Sequence, residues 1–176
     1  MRIGIDISQI VSEGTGVGKY VRRMVTALLK SDTKNEYVLF GASLRRRSIF
    51  YKYFKRENLV VVPIPPTILD VLWNKLHIFP VEWFTGKIDI FWSSDWTQPP
   101  LINAKGVTTI HDLIVLRHPE NFGGGLRNIV ETQKRRLARA TKVCSVFFCD
   151  SEATKKDAIE LLGIAKTKLF VVYPGL

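Results

Sequence analysis

The chain has 176 residues, which is long enough for one domain with a buried core of its own. Its residues are 46% hydrophobic and 24% charged, a globular composition that excludes an intrinsically disordered chain. The net charge of +10 favours an anionic partner, namely nucleic acid, an acidic lipid surface or a phosphorylated ligand.

The amino terminus and the apolar runs predict the cellular location. Residues 1–7 lead straight into a strand pattern and lack the long apolar core of a signal peptide. No run approaches the roughly 20 apolar residues that span a bilayer. We therefore expect a cytoplasmic protein, or one that is peripheral at the inner membrane surface.

Short runs of β-branched and aromatic residues alternate with helical patterns along the chain. This alternation predicts an α/β fold, a Rossmann-like, doubly wound and mostly parallel sheet of about seven strands flanked by helices. The predicted strands are residues 2–7, 36–40, 59–63, 88–92, 107–110, 142–149 and 169–172.

Helical patterns fill most of the gaps between these strands. The first helix is predicted over residues 18–30, because Val21, Met24, Val25, Leu28 and Leu29 fall on one face. Residues 67–84 are aromatic and are interrupted by Pro80, so that we expect them to be helical only in part. The other predicted helices are residues 44–55, 121–140 and 151–162, the last closed by Gly163.

Three glycines, Gly14, Gly16 and Gly18, lie between the first strand and the first helix. Glycines let a backbone pass close to a ligand, and a helix start offers unpaired N–H groups to a phosphate. The spacing is not that of the dinucleotide fingerprint, and no Gly-Lys-Ser/Thr follows, which excludes a P-loop. A flexible, capped connection without a ligand is the alternative.

Polar groups end three of the predicted strands. Asp95 and Trp96 follow the fourth, His111 and Asp112 follow the fifth, and Asp150 follows the sixth. A histidine oriented by the neighbouring carboxylate can hydrogen-bond a hydroxyl-rich ligand at this edge of the sheet. The alternative for His111 is a structural histidine with satisfied hydrogen bonds.

Two residues in and after the sixth strand have structural interpretations. Ser151 precedes an apolar helix with a threonine three positions later, which predicts a helix cap and not a catalytic serine. Cys144 and Cys149 lie five positions apart in one predicted strand, and we therefore expect them on opposite faces and unbridged. No Cys/His cluster has metal-ligand spacing, so no metal site is expected.

With these motifs in order, the chain resembles the amino-terminal domain of the group 1, or family 4, retaining glycosyltransferases of GT-B fold. The likeness extends over nearly the whole chain. The blocks that carry it are residues 2–6, 14–20, 35–40, 108–113, 151–157 and 171–175.

The resemblance implies transfer of a hexose from a nucleotide-sugar to a glycan or lipid-linked acceptor, with retention and without a cofactor. Gly14, Gly16 and Gly18 would approach the donor diphosphate. His111 would be the catalytic candidate, hydrogen-bonded to the transferred sugar near the reacting carbon. Asp95, Trp96 and Asp112 would line the acceptor side.

The resemblance also predicts the domain organisation. Residues 1–172 would form the acceptor-side domain, and residues 173–176 would begin a linker to a carboxyl-terminal donor-binding domain that is absent from this sequence. We therefore expect negligible turnover by the chain alone.

A basic amphipathic segment suggests a further surface. Arg45, Arg46 and Arg47 precede a stripe that includes Phe50 and Phe54, and such a helix can lie on an anionic membrane. Packing of the stripe on the sheet, with the charges in solvent, is the interpretation we favour. A second basic cluster at residues 134–139 lacks a nucleic-acid-binding motif, which argues against nucleic acid as a partner.

Two other functions compete with the transferase. A stand-alone anion-binding or membrane-surface module would use the glycine segment without chemistry. A nicotinamide-dependent oxidoreductase is disfavoured, because the second strand ends in Phe40 and Gly41 where an acidic residue would bind the ribose.

Overall fold

The computed structural model describes residues 1–94, 97–122 and 129–174. Seven parallel strands form one sheet in the order β3-β2-β1-β4-β5-β6-β7, so that strand order reverses between β1 and β4. The predicted number of strands is confirmed. The strands are β1 Arg2–Asp6, β2 Glu36–Ala42, β3 Leu59–Val62, β4 Ile90–Ser93, β5 Lys105–Ile110, β6 Cys144–Cys149 and β7 Leu169–Val171.

Helices cover both faces of this sheet, which confirms the doubly wound fold class. The α-helices are α1 Gly16–Ser31, α2 Ser48–Tyr53, α3 Pro66–Leu69, α4 Glu82–Thr85, α5 Ile114–Arg117, α6 Ile129–Val143 and α7 Glu152–Leu162. One buried cluster lies under α1 and α2, and two others lie on the opposite face, under α6, α7 and the segment after β3.

α1 begins two residues before the predicted start, because Thr15 caps it by accepting a hydrogen bond from the backbone N–H of Gly18. Val21 and Val25 are buried on the predicted face. Both Gly16 and Gly18 therefore lie inside the first turn of the helix, and only Gly14 precedes it.

α2 is shorter than the predicted helix over residues 44–55. Its stripe packs into the core, where Phe50 is 0% exposed and Phe54 is 7% exposed. The two phenylalanines are therefore not available to a membrane surface, whereas Arg45, Arg46 and Arg47 are exposed. The physical reason is that the sheet offers the stripe an apolar face to cover.

The aromatic segment after β3 is helical in part, as expected. α3 continues into a π-helix over Asp70–Leu76, and the chain then leaves the helix through positive φ angles at His77 and Phe79 before α4. Buried Trp73 holds this segment against Phe40 of β2, with ring centroids 5.5 Å apart.

The prediction that the two cysteines lie on opposite faces is wrong. The register between β5 and β6 shifts after Gly106, which pairs with Cys144, while Val107 pairs with Val146. This irregularity interrupts the alternation of side chains along the strand. As a result Cys144 and Cys149, both free thiols, are buried in the same cluster.

Candidate functional site

The carboxyl ends of four neighbouring strands, β1, β4, β5 and β6, form one row. In open α/β sheets, ligands bind at this edge, near the point where strand order reverses. The row contains that point, since β1 and β4 are adjacent. A site is therefore expected here, and the polar groups that follow these strands are its candidates.

His111 follows β5 and lies in the middle of the row. Its Nε2 is 2.7 Å from the carbonyl oxygen of Ser94, which follows β4, and its Nδ1 is 2.7 Å from Oδ2 of Asp150, which follows β6. The His111 side chain is 12% exposed and the Asp150 side chain 21%. The imidazole thus bridges the ends of three adjacent strands.

The carboxylate that contacts His111 is Asp150 and not its sequence neighbour Asp112. This corrects the prediction that the neighbouring carboxylate orients the histidine. Asp112 is exposed, and its Oδ1 accepts a hydrogen bond of 3.2 Å from the backbone N–H of Ile114 at the start of α5. Asp150 was recognised in the sequence as a strand-end group. Its pairing with His111 depends on the adjacency of β5 and β6.

Further hydrogen bonds hold this arrangement in place. The Ser94 hydroxyl donates to the carbonyl oxygen of Asp6 at the end of β1, at 3.2 Å. The Thr154 hydroxyl donates to the carbonyl oxygen of His111, at 3.1 Å. The first hydrogen bond holds Ser94, the partner of Nε2, against β1, and the second holds the His111 backbone against α7.

Tyr20 connects α1 to the row. Its ring meets the imidazole of His111 edge-on, with centroids 5.0 Å apart and an interplanar angle of 86°. Burial raises the pKa of Tyr20 to about 12, and the nearby Asp150 carboxylate adds to the rise. The ring of Tyr20 thus forms an uncharged wall beside the histidine.

The three glycines differ in what surrounds them. A Cβ on Gly18 would lie 2.8 Å from the carbonyl oxygens of both Gln9 and Ser12, so that close packing requires this glycine. A Cβ on Gly14 or Gly16 would meet nothing within 4 Å. None of the three has a positive φ. Neither packing nor backbone conformation therefore explains Gly14 and Gly16.

An open cavity of about 540 Å³ lies beside the glycine segment. Gly16, Tyr20 and Pro174 line it, together with the exposed cations Lys19 and Arg23. The sequence analysis missed these two cations. Their spacing of four residues on the helix that follows the glycines places them on one face and could have identified them.

Two of the predicted site residues, Asp95 and Trp96, lie outside the described residues. Ser151 caps α7 by accepting a hydrogen bond from the backbone N–H of Thr154, which confirms its structural role.

Among the described residues, no three His, Cys, Asp or Glu side chains are grouped as a metal site. Within the same ranges, no helix is long and apolar enough to cross a membrane.

The all-parallel sheet with helices on both faces is Rossmann-like, and it is the architecture expected of one half of a GT-B fold. Residues 14–176 match the profile of Glycosyltransferase Family 4. The chain belongs to this family, and the matched domain is the amino-terminal half of the family's GT-B enzymes. No curated protein matched the chain.

Proposed function

We propose that this domain forms the acceptor-side wall of the cleft in an enzyme that transfers a hexose from a nucleotide-sugar with retention. The observation that carries the proposal is the contact between Tyr20 and His111. Through it, the helix that begins with the glycines and the strand end that bears the histidine share one edge of the sheet. Family membership supplies the nucleotide-sugar and the acceptor as substrate classes.

In this proposal the glycine segment approaches the donor diphosphate. Gly14 and Gly16 are exposed and leave open space where a side chain would stand, which suits close approach by a ligand. The first backbone N–H groups of α1 favour negative charge, and the adjacent cations Lys19 and Arg23 add to that preference. His111 contacts the transferred sugar and Asp112 contributes to the acceptor side, where the family resemblance also assigns Asp95 and Trp96.

A second domain completes the cleft and holds most of the donor. Neutralising the diphosphate as it departs is a large part of such catalysis, and the chain alone provides only part of that charge. We therefore expect the 176 residues to show negligible sugar transfer, measured as release of free nucleotide in the presence of an acceptor. Turnover at a rate typical of enzymes would contradict this division of labour.

Amide NMR of the chain during addition of UDP-glucose or GDP-mannose tests the proposed site. We expect shifts at residues 14–18 and at His111. Gly16→Val should weaken them, because the new side chain fills the open space, and Ala138→Val on α6 serves as the matched control. If residues 14–18 stay silent with both donors, the glycine segment is not a donor site.

A membrane-surface module is the second candidate, and one observation favours it. Arg45, Arg46 and Arg47 form an exposed run of three cations on a chain whose net charge is +10. Anionic lipid attracts such a run. Phe50 and Phe54 are buried and are not available for insertion into the bilayer, so that the candidate rests on the charge of the exposed run.

A further inference from the structure

The contacts of His111 determine where its protons lie. A carbonyl oxygen can only accept a hydrogen bond, so that Nε2, 2.7 Å from the Ser94 carbonyl, must carry a hydrogen. The Nδ1 atom faces a carboxylate oxygen of Asp150 at 2.7 Å. That distance requires one further proton between the two groups. Without it, an unprotonated nitrogen and a carboxylate oxygen, which are both acceptors, would repel each other.

Both ring nitrogens are therefore engaged in hydrogen bonds, and neither is open to a ligand in this geometry. Its two partners follow different strands, and a rotation of the imidazole would break both hydrogen bonds at once. The neighbouring ring of Tyr20, 5.0 Å away between centroids, limits such a rotation further. Only 12% of the side chain is exposed, so that little of the ring is open to a ligand.

Asp150 has few other interactions that would explain its position. Its Oδ1 is buried and has no hydrogen-bond partner in the part of the chain that the structure describes. Leaving a buried acceptor unsatisfied is unfavourable. The contact with His111 is thus the hydrogen bond that the structure gives to this carboxylate.

We propose that Asp150 is a positioning residue for His111, which it holds in one orientation with both ring nitrogens engaged. His111 then meets the transferred sugar as a fixed ring that stabilises charge, and not as a base that removes a proton from the acceptor. The catalytic half of this statement rests on the proposed function. The positioning half rests on the ring geometry alone.

Nitrogen-15 NMR of the histidine rings in the wild-type chain, recorded near neutral pH without ligand, tests the positioning directly. We expect both nitrogens of His111 to give the shifts of protonated, hydrogen-bonded nitrogens. In Asp150→Asn the amide N–H₂ group can donate to Nδ1, so that the ring should become neutral and Nδ1 should move to the unprotonated range. Asp112→Asn, the matched control, should leave the His111 signals unchanged.

Two outcomes would overturn the proposal. One is a wild-type ring that already has an unprotonated nitrogen, and the other is an Asp150→Asn spectrum identical to that of the wild type. The wild-type spectrum alone is decisive if the variant does not fold. These spectra are recorded without a donor. A failure of UDP-glucose or GDP-mannose to shift residues 14–18 would therefore reject the proposed donor role of the glycine segment and leave this result standing.

Discussion

Gly16 and Gly18 lie two residues apart in the first turn of α1, and the structure gives them different reasons to be glycine. Gly18 is enclosed by backbone carbonyl oxygens, whereas Gly16 opens onto the cavity that Lys19 and Arg23 line. A ligand explains the glycine at position 16 only if it approaches that open side. The two positions can therefore be separated by measuring stability and binding independently.

We expect Gly18→Ala to lower the free energy of unfolding by about 1–3 kcal/mol, because the new methyl group would crowd two carbonyl oxygens. Gly16→Ala should change it by no more than about 0.5–1 kcal/mol and in the stabilising direction, since alanine favours a helix. Urea denaturation of both variants measures the difference. Equal losses would mean that Gly16 is also a packing residue.

Buried acids that hold their protons tightly make stability depend on pH. Burial raises the pKa of Cys144 to about 12 and that of Cys149 to about 11, from a usual value of 9.0. It also raises the pKa of Tyr20 and Tyr37 to about 12, from 10.0, with Asp32 adding to the rise at Tyr37. In each case the unfolded chain releases the proton at lower pH than the folded chain.

The stabilisation from these groups should be fully present below about pH 9 and should fall as pH rises from there towards 12. We expect the urea midpoint to be lower near pH 10.5 than near pH 8. Cys149→Ala removes one of the four groups and should make the decline shallower. A midpoint that is constant over this range would show that the thiols and phenols titrate normally in the folded chain.

At the scale of elements, the connection from β6 to α7 shows how a helix start and the site share residues. Ser151 caps α7, and Thr154 in its first turn donates its hydroxyl to the carbonyl of His111. The same turn therefore begins the helix and supports the histidine. A defect in the cap is expected to reach the site through Thr154.

We expect Ser151→Ala to cost about 1 kcal/mol of stability, the usual loss for a helix cap. Ser151→Asp should keep most of it, because aspartate is also a good cap. Ser48→Ala at the start of α2, where no side chain caps the helix, is the matched control and should have little effect. Equal unfolding midpoints for Ser151→Ala and wild type would contradict the capping role.

At the scale of the whole molecule, the positive charge is spread over several surfaces, and the membrane candidate concerns only one of them. The run of Arg45, Arg46 and Arg47 lies between β2 and α2. Other exposed cations, among them Lys142, Lys166 and Lys168, lie near the opposite end of the sheet order, beside β6 and β7. A specific membrane surface should distinguish these two groups.

We expect replacement of Arg45, Arg46 and Arg47 by alanine to reduce sedimentation with phosphatidylglycerol vesicles at least about tenfold, if this run is the membrane surface. The triple alanine variant of Lys142, Lys166 and Lys168 removes the same charge and should bind nearly as well as the wild type. Equal losses in both would indicate attraction by net charge alone. Absence of vesicle binding by the wild-type chain would reject the membrane candidate.

Much of the fold could be predicted because its signals are local. All seven strands and the buried face of α1 follow from periodic apolar residues, and the cap at Ser151 follows the preferences of helix starts. Element boundaries were less accurate. α2 is shorter than its pattern, and residues 142 and 143, predicted as strand, end α6.

The sequence by itself determined the fold class, the family resemblance that the profile match confirmed, and the edge of the sheet where a site is expected. Hydrophobic periodicity and motif order contain this information without reference to distant residues. The tertiary structure alone decided which carboxylate holds His111, since Asp150 lies 39 residues further along and reaches it only because β5 and β6 are adjacent. It likewise decided that a register shift puts Cys144 and Cys149 in one cluster and that the sheet buries Phe50 and Phe54, because pairing and burial depend on neighbours that the local sequence does not specify.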